Sequence, residues 1–300
     1  GGPPGDTFDL ANDLGALLGK GEKVDWRKLQ ELADEAYGGT LSEHKWEMQD
    51  AYEALELALN TVGQRSAAVD FAKAKATAAE LEALLALGPT QTMRSTEKEE
   101  FQQFSTPVHY AYAATWVGAP RKDDVVLEPS GGTGSLLTHA RATVKTTIGN
   151  EIDKGRAALL ARFAHRVFVE DAEQIHNILP ARLEKRPTLV LMNPPFSRAG
   201  SRMKGKKLLL TGAKHVEAAL QTLEPGGRLV AIVGRGMAMD APTYADWWSR
   251  IGDTYHVRAN VEVSGDVYAK NGTDFATRLL VIDKTLPETR GPVVTGFVEN

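Results

Sequence analysis

The sequence predicts an α/β protein: a largely parallel, doubly wound sheet preceded by a helical region. Three observations predict it. Short apolar runs alternate with helical segments from Val125 to Val233, which is the pattern of strand–helix–strand units in a parallel sheet. The last two apolar runs, His256–Val263 and Ala276–Ile282, are joined by a short connection holding Gly265, Asn271 and Gly272. So short a link favours an antiparallel pair, because a parallel crossover needs about a dozen residues or more. Finally, residues 6–87 are rich in Ala, Leu, Glu and Lys, with apolar residues recurring at three and four, the helical spacing.

Taken in order, the helical region shows its clearest stripe at Trp46, Tyr52, Leu55, Leu59 and Val62. Ser42, followed by Lys45-Trp46-Glu47, reads as a helix start. A second helix is expected from about Ala67 to Leu87, stopped by Gly88-Pro89. The polar stretch Thr90–Glu100 reads as a linker, dividing an N-terminal helical region, residues 1–95, from a second domain, residues 96–300. The strands of that domain are expected at Val125–Leu127, Thr146–Ile148, Arg166–Val169, Thr188–Met192 and Arg228–Val233, the fifth entered through Pro225-Gly226-Gly227. With the closing antiparallel pair they make a sheet of seven strands, the plan associated with the Rossmann-like methyltransferases.

Composition excludes several classes. The chain has 300 residues and no cysteine, so disulfides and thiolate metal sites are ruled out. Its histidines show no metal-ligand spacing, and no metal is expected. No apolar run approaches the roughly 20 residues of a bilayer span. The opening Gly1-Gly2-Pro3-Pro4-Gly5 has neither the basic nor the apolar stretch of a signal peptide, so a cytoplasmic protein without membrane contact is expected. Charge is unevenly spread. Residues 1–100 hold 10 Lys and Arg against 19 Asp and Glu, residues 101–300 hold 25 against 20. Only the second part has the sign of a polyanion-binding surface.

The first strand runs into Leu127-Glu128-Pro129-Ser130-Gly131-Gly132-Thr133-Gly134. Such a strand–glycine loop–helix lets the backbone turn tightly and lets a ligand approach. The spacing is not that of a dinucleotide loop, and no Gly-Lys-Ser/Thr ending marks a phosphate loop. Glu128 would repel a pyrophosphate but suits a cationic group such as the ammonium of a methionine moiety. The second strand ends at Glu151-Ile152, 17 residues after Gly134, where a carboxylate can accept both hydroxyls of a ribose. The third ends at Asp171-Ala172, where a carboxylate can take a hydrogen bond from an adenine amino group. Acids at strand tips also serve as plain helix caps; three in order behind a glycine loop favour S-adenosylmethionine as cofactor.

The fourth strand ends Asn193-Pro194-Pro195-Phe196, the most specific signal in the chain. An exocyclic amino group is a poor nucleophile because its lone pair is delocalised into the ring. Acceptors aimed at its two N–H bonds draw the nitrogen towards a tetrahedral shape. The Asn193 side-chain carbonyl and the Pro194 backbone carbonyl can serve, held rigid by the two prolines. Phe196 offers a flat face for an extruded base.

With these motifs the chain resembles the gamma-type adenine-N6 DNA methyltransferases. In that family a Leu-Glu-Pro…Gly-x-Gly loop precedes Asn-Pro-Pro-Tyr/Phe, and a motif with Thr-Pro stands before both. Here Phe104-Ser105-Thr106-Pro107 lies about 20 residues upstream of Glu128; the resemblance implies that it wraps the methionine end of the cofactor. Ser105-Thr106-Pro107 is equally a sensible helix start. The chain also resembles, more loosely, methylase domains fused to helicases in phage and mobile-element proteins. The resemblance implies methylation of adenine N6 in DNA, of the kind seen in restriction-modification. About 17 residues follow the last expected strand, so target recognition would come from further domains or a partner. An aromatic near the closing pair, Tyr268 or Phe275, would sandwich the flipped base.

Other readings stay open. Asn-Pro-Pro-Phe/Tyr also serves RNA guanine-N2 and protein glutamine methylation, and a non-catalytic DNA-binding module would keep the same fold. The run from Arg198 to Lys207, with Arg202, suits a phosphate backbone, or is a solvated loop. Trp247-Trp248 read as packing.

Overall fold

The structure, a computed structural model, describes residues 4–65, 70–91, 105–195, 211–272, 275–286 and 291–299. Among the described residues four helices come first: α1 (Pro4–Gly19), α2 (Trp26–Ala36), α3 (Met48–Arg65) and α4 (Ala74–Ala86). Asp25 caps α2, its carboxylate accepting from the Lys28 N–H at 2.8 Å. α3 begins at Met48 and not at Ser42. Glu43 turns back onto Thr40, accepting from its backbone N–H at 2.8 Å, and His44 takes a left-handed φ of 56° that a helix cannot contain. Asp50 then accepts from the Glu47 N–H at 2.9 Å, the side-chain half of a capping box. Asp70 caps a 3₁₀ turn that leads into α4, so this helix starts later than Ala67.

The α/β part follows. Its elements are α5 (Val108–Gly118), β1 (Val125–Glu128), α6 (Thr138–Thr143), β2 (Thr146–Asn150), α7 (Lys154–Leu160), β3 (Arg166–Phe168), α8 (Ile175–Ile178) and β4 (Leu189–Met192). After these come α9 (Thr211–Thr222), β5 (Arg228–Gly234), α10 (Ala245–Thr254), β6 (His256–Val263), β7 (Thr277–Asp283) and β8 (Val294–Val298). The strand order is β3-β2-β1-β4-β5-β7-β6-β8. β1 to β5 pair in parallel, and β7 enters antiparallel between β5 and β6. Among the described residues the sheet has eight strands where seven were expected. β8 pairs in parallel with β6, and each of its residues is exposed. It buries no apolar stripe, so its sequence carries no strand pattern to read.

Alternate strand residues feed two cores. Val126, Leu189, Leu191, Val230 and Ile232 face one side, where α1 to α7 supply the partners. Val125, Leu127, Val190, Met192, Leu229 and Ala231 face the other, packed by α8, α9 and α10. Leu10, Leu14, Tyr52 and Leu55 of the N-terminal helices share the first core with Ala111, Leu137 and Leu160. Trp247 and Trp248 are buried in the second, and the Trp248 indole N–H donates to the Met237 carbonyl at 3.0 Å. Among the described residues no helix is long and apolar enough to cross a membrane.

Candidate active site at the strand tips

The C-terminal ends of β1, β2, β3 and β4 lie side by side, which is where open α/β sheets bind ligands. After β1 the chain turns through the glycine loop. Gly134 has a φ of 102°, and a Cβ there would meet the Phe163 ring at 2.7 Å. A Cβ on Gly131 would meet Leu160 at 2.6 Å. These glycines therefore seat the loop directly on α7 and the residues after it. Pro129 is buried; Ser130 is half-buried, yet its hydroxyl has no partner.

Each strand tip carries its acid. Glu128 is 1% exposed. It accepts from the backbone N–H groups of Ser130, at 2.7 Å, and of Asn193. Burial pushes its carboxyl well above the usual carboxylate range, the Ser130 N–H opposing this and nearby Glu151 adding to it. Glu151 is also buried. One oxygen accepts from the Gly132 N–H at 2.9 Å, the other from the Asp153 N–H at 2.9 Å and from Arg156 at 3.1 Å. An ionised carboxylate has about four acceptor positions, so capacity for a further donor remains. Ile152, the next residue, is 65% exposed and leaves an apolar face at the site's edge. Asp171 is exposed; its carboxylate accepts from the Glu173 N–H at 2.9 Å and so acts as a cap, with Ala172 buried behind it.

Asn150 holds these tips together, and nothing in its sequence context announced it. Its amide donates to the Pro129 and Glu170 carbonyls, both at 2.9 Å, and accepts from the Glu170 N–H at 3.0 Å. One buried side chain thus ties three strand ends.

At the tip of β4, Asn193 is 5% exposed. Its Nδ2 donates to the Thr106 hydroxyl at 2.9 Å, while its Oδ1 is buried with no partner. Pro194 is buried and Pro195 half-buried beside it. Ser105, Thr106 and Pro107 are buried at the start of α5, and the Asn271 amide donates to the Ser105 hydroxyl at 2.9 Å. Sequence segments far apart, the Thr-Pro stretch, the β4 tip and the β6–β7 connection, therefore converge. Phe104, Phe196, Arg198 and Arg202 lie outside the described residues.

The two aromatic candidates differ. Tyr268 is 2% exposed and packs edge-on against Tyr110, so its ring has no free face to offer a base. Its hydroxyl is buried without a partner, and burial raises its pKa well above the usual value. Phe275 is half-buried just ahead of β7.

Comparison of the fold finds related architectures. The chain superposes on a protein of Listeria monocytogenes assigned as a class I S-adenosylmethionine-dependent methyltransferase, with 14% identity, a TM-score of 0.52, and 99% and 92% of the two chains covered. A chain of a type I R-M system complex matches at 15% identity and TM-score 0.50, covering 99% of this chain and 72% of that one. A modification subunit assigned to a type I restriction enzyme of Vibrio vulnificus matches at 17% identity and TM-score 0.48, over 72% of this chain. This chain spans about half (51%) of that subunit. No protein-family model matches the sequence, and no curated protein sequence matches it. The fold is that of a class I methyltransferase.

Proposed function

We propose that this protein transfers a methyl group from S-adenosylmethionine to the N6 amino group of an adenine flipped out of DNA. The observation that carries the reading is the unpartnered, buried Oδ1 of Asn193 at the β4 tip, next to the acid of the glycine loop. A buried carbonyl without a donor costs about 1–3 kcal/mol, and an amino group brought to it would remove that cost.

When bound, S-adenosylmethionine supplies an electrophilic methyl on a sulfonium. Glu151 would accept the ribose hydroxyls, Ile152 would cover the adenine ring, Asp171 would take its amino group, and Ser105 to Pro107 would line the methionine end. Asn193 Oδ1 and the Pro194 carbonyl would accept the two N–H bonds of the target amine and turn its lone pair towards the methyl. Held in this way, the amine would take the methyl as its bond to sulfur breaks, the bonding electrons staying on sulfur, and the spare amine proton would leave to water. No tuned general base is needed; alignment provides the rate. Likeness to a chain of a type I R-M system is in keeping with DNA as substrate and with a partner that supplies target recognition. Product analysis tests the reading: incubation with DNA, RNA and protein should yield N6-methyladenine in DNA. N2-methylguanine in RNA or methylglutamine in protein would replace it.

A further inference from the structure

One face of α3 carries three polar side chains at helical spacing, Glu56, Asn60 and Gln64, in a helix whose buried positions from Ala51 to Leu59 are otherwise Ala, Leu and Tyr52. All three reach the glycine loop or the turn after it. Glu56 Oε1 accepts from the Thr133 hydroxyl at 2.7 Å and the Ser135 hydroxyl at 2.5 Å. The Asn60 amide donates to the Ser135 hydroxyl at 3.0 Å, and the Gln64 amide to the Thr138 carbonyl at 2.8 Å. Ser105, in the Thr-Pro segment, is a further hydroxyl partner of Glu56. Glu56 is 6% exposed, and the unpartnered Tyr268 hydroxyl lies within its electrostatic reach.

We infer that α3 is a working wall of the cofactor site, in which Glu56 positions the glycine loop and the Thr-Pro segment together for binding; this rests on the cofactor reading above. The arrangement is costly if it only packs. A carboxylate buried against a loop is a poor structural choice beside an apolar residue of like volume. Its hydroxyl partners come from both segments that would enclose the methionine end of the cofactor. Burial raises the carboxyls of Glu56 and Glu53 above their usual range, and Arg156, paired with Glu151 at 3.1 Å, opposes that rise in both. Glu56 acts through the loop, and is a positioning residue.

The test compares Glu56→Gln with wild type by calorimetry with S-adenosylhomocysteine and by steady-state methylation. Glutamine keeps the volume but cannot accept from every hydroxyl at once. The expected result is a Kd for the analogue and a KM for S-adenosylmethionine raised about 10- to 100-fold, kcat within a few-fold, and a KM for DNA unchanged. That split marks a loss of uniform cofactor binding. A simple structural role would lower Tm and leave the Kd of the folded fraction alone, and that outcome overturns the inference. If Glu56→Gln does not fold, Ser135→Ala and Thr133→Val, which remove the partners and keep the helix, must give the same rise in Kd; normal affinity in both overturns it. Wild type that binds no adenosyl analogue overturns the cofactor reading and this inference with it. Wild-type binding with unchanged affinity in the variants overturns this inference alone.

Discussion

Asn193 has two hydrogen-bonding ends, and the fold has used one. Thr106 engages Nδ2 and leaves Oδ1 bare. Thr106→Val should therefore free the amide to rotate. Kinetics at saturating cofactor should show kcat lowered about tenfold, the size of one hydrogen bond. An unchanged kcat would mean that Thr106 does not orient Asn193. At the same scale His139, fully buried against Tyr112, is held neutral, its pKa pushed down to about 4 by burial. A depressed folded value stabilises above the unfolded pKa of about 6.5 and loses that contribution as pH falls towards about 4. His139→Phe should flatten the acid limb of a Tm–pH profile over that range, and an unaltered limb would contradict it. The strand-tip residues were legible in the sequence, because the strand pattern puts Glu128, Glu151 and Asn193 at the ends of β1, β2 and β4. Glu56 and Asn150 were not. Glu56 meets Thr133 and Ser135 across 77 and 79 residues, and no local spacing encodes such a meeting.

Elements carry a second set of consequences. Leu160 of α7 fills the space that Gly131 and Gly149 leave open, so the glycine loop rests on it. Leu160→Ala should cost about 2–5 kcal/mol and also weaken cofactor affinity, read by chemical denaturation and calorimetry on one preparation. On α3, Glu53 is half-buried and its pKa is pushed up to about 7, by burial first. A raised folded value gives stability that is full below the ordinary carboxylate range and is lost as pH rises towards about 7. Glu53→Gln should thus leave Tm nearly unchanged at pH 5 and raise it by about 2–4 °C at pH 8. A difference that shrinks with rising pH would contradict this. Apolar spacing located α3 itself, but its start was misplaced. Ser42 looked like a cap, yet Glu43 folded back on Thr40 and His44 adopted a left-handed backbone; turn chemistry overrode the cap signal.

For the whole molecule, the N-terminal helices and one face of the sheet share a single apolar core. Calorimetry should accordingly show one cooperative unfolding transition; two resolved transitions would mean that the helices and the sheet melt independently. The order of the strands and the insertion of β7 between β5 and β6 belong to the structure alone; the parallel run and the antiparallel closing pair followed from alternating patterns and one short connection. β8 did not, since an edge strand exposed along its length has no buried face to write into the sequence. The central claim concerns chemistry at the β4 tip, and the most direct measurement is labelled methyl transfer from S-adenosylmethionine to DNA by wild type and Asn193→Ala, with cofactor affinity measured on both. The account predicts N6-methyladenine from wild type, a fall of at least about 100-fold in the variant, and equal cofactor affinity in the two. Transfer by the variant at the wild-type rate would contradict it.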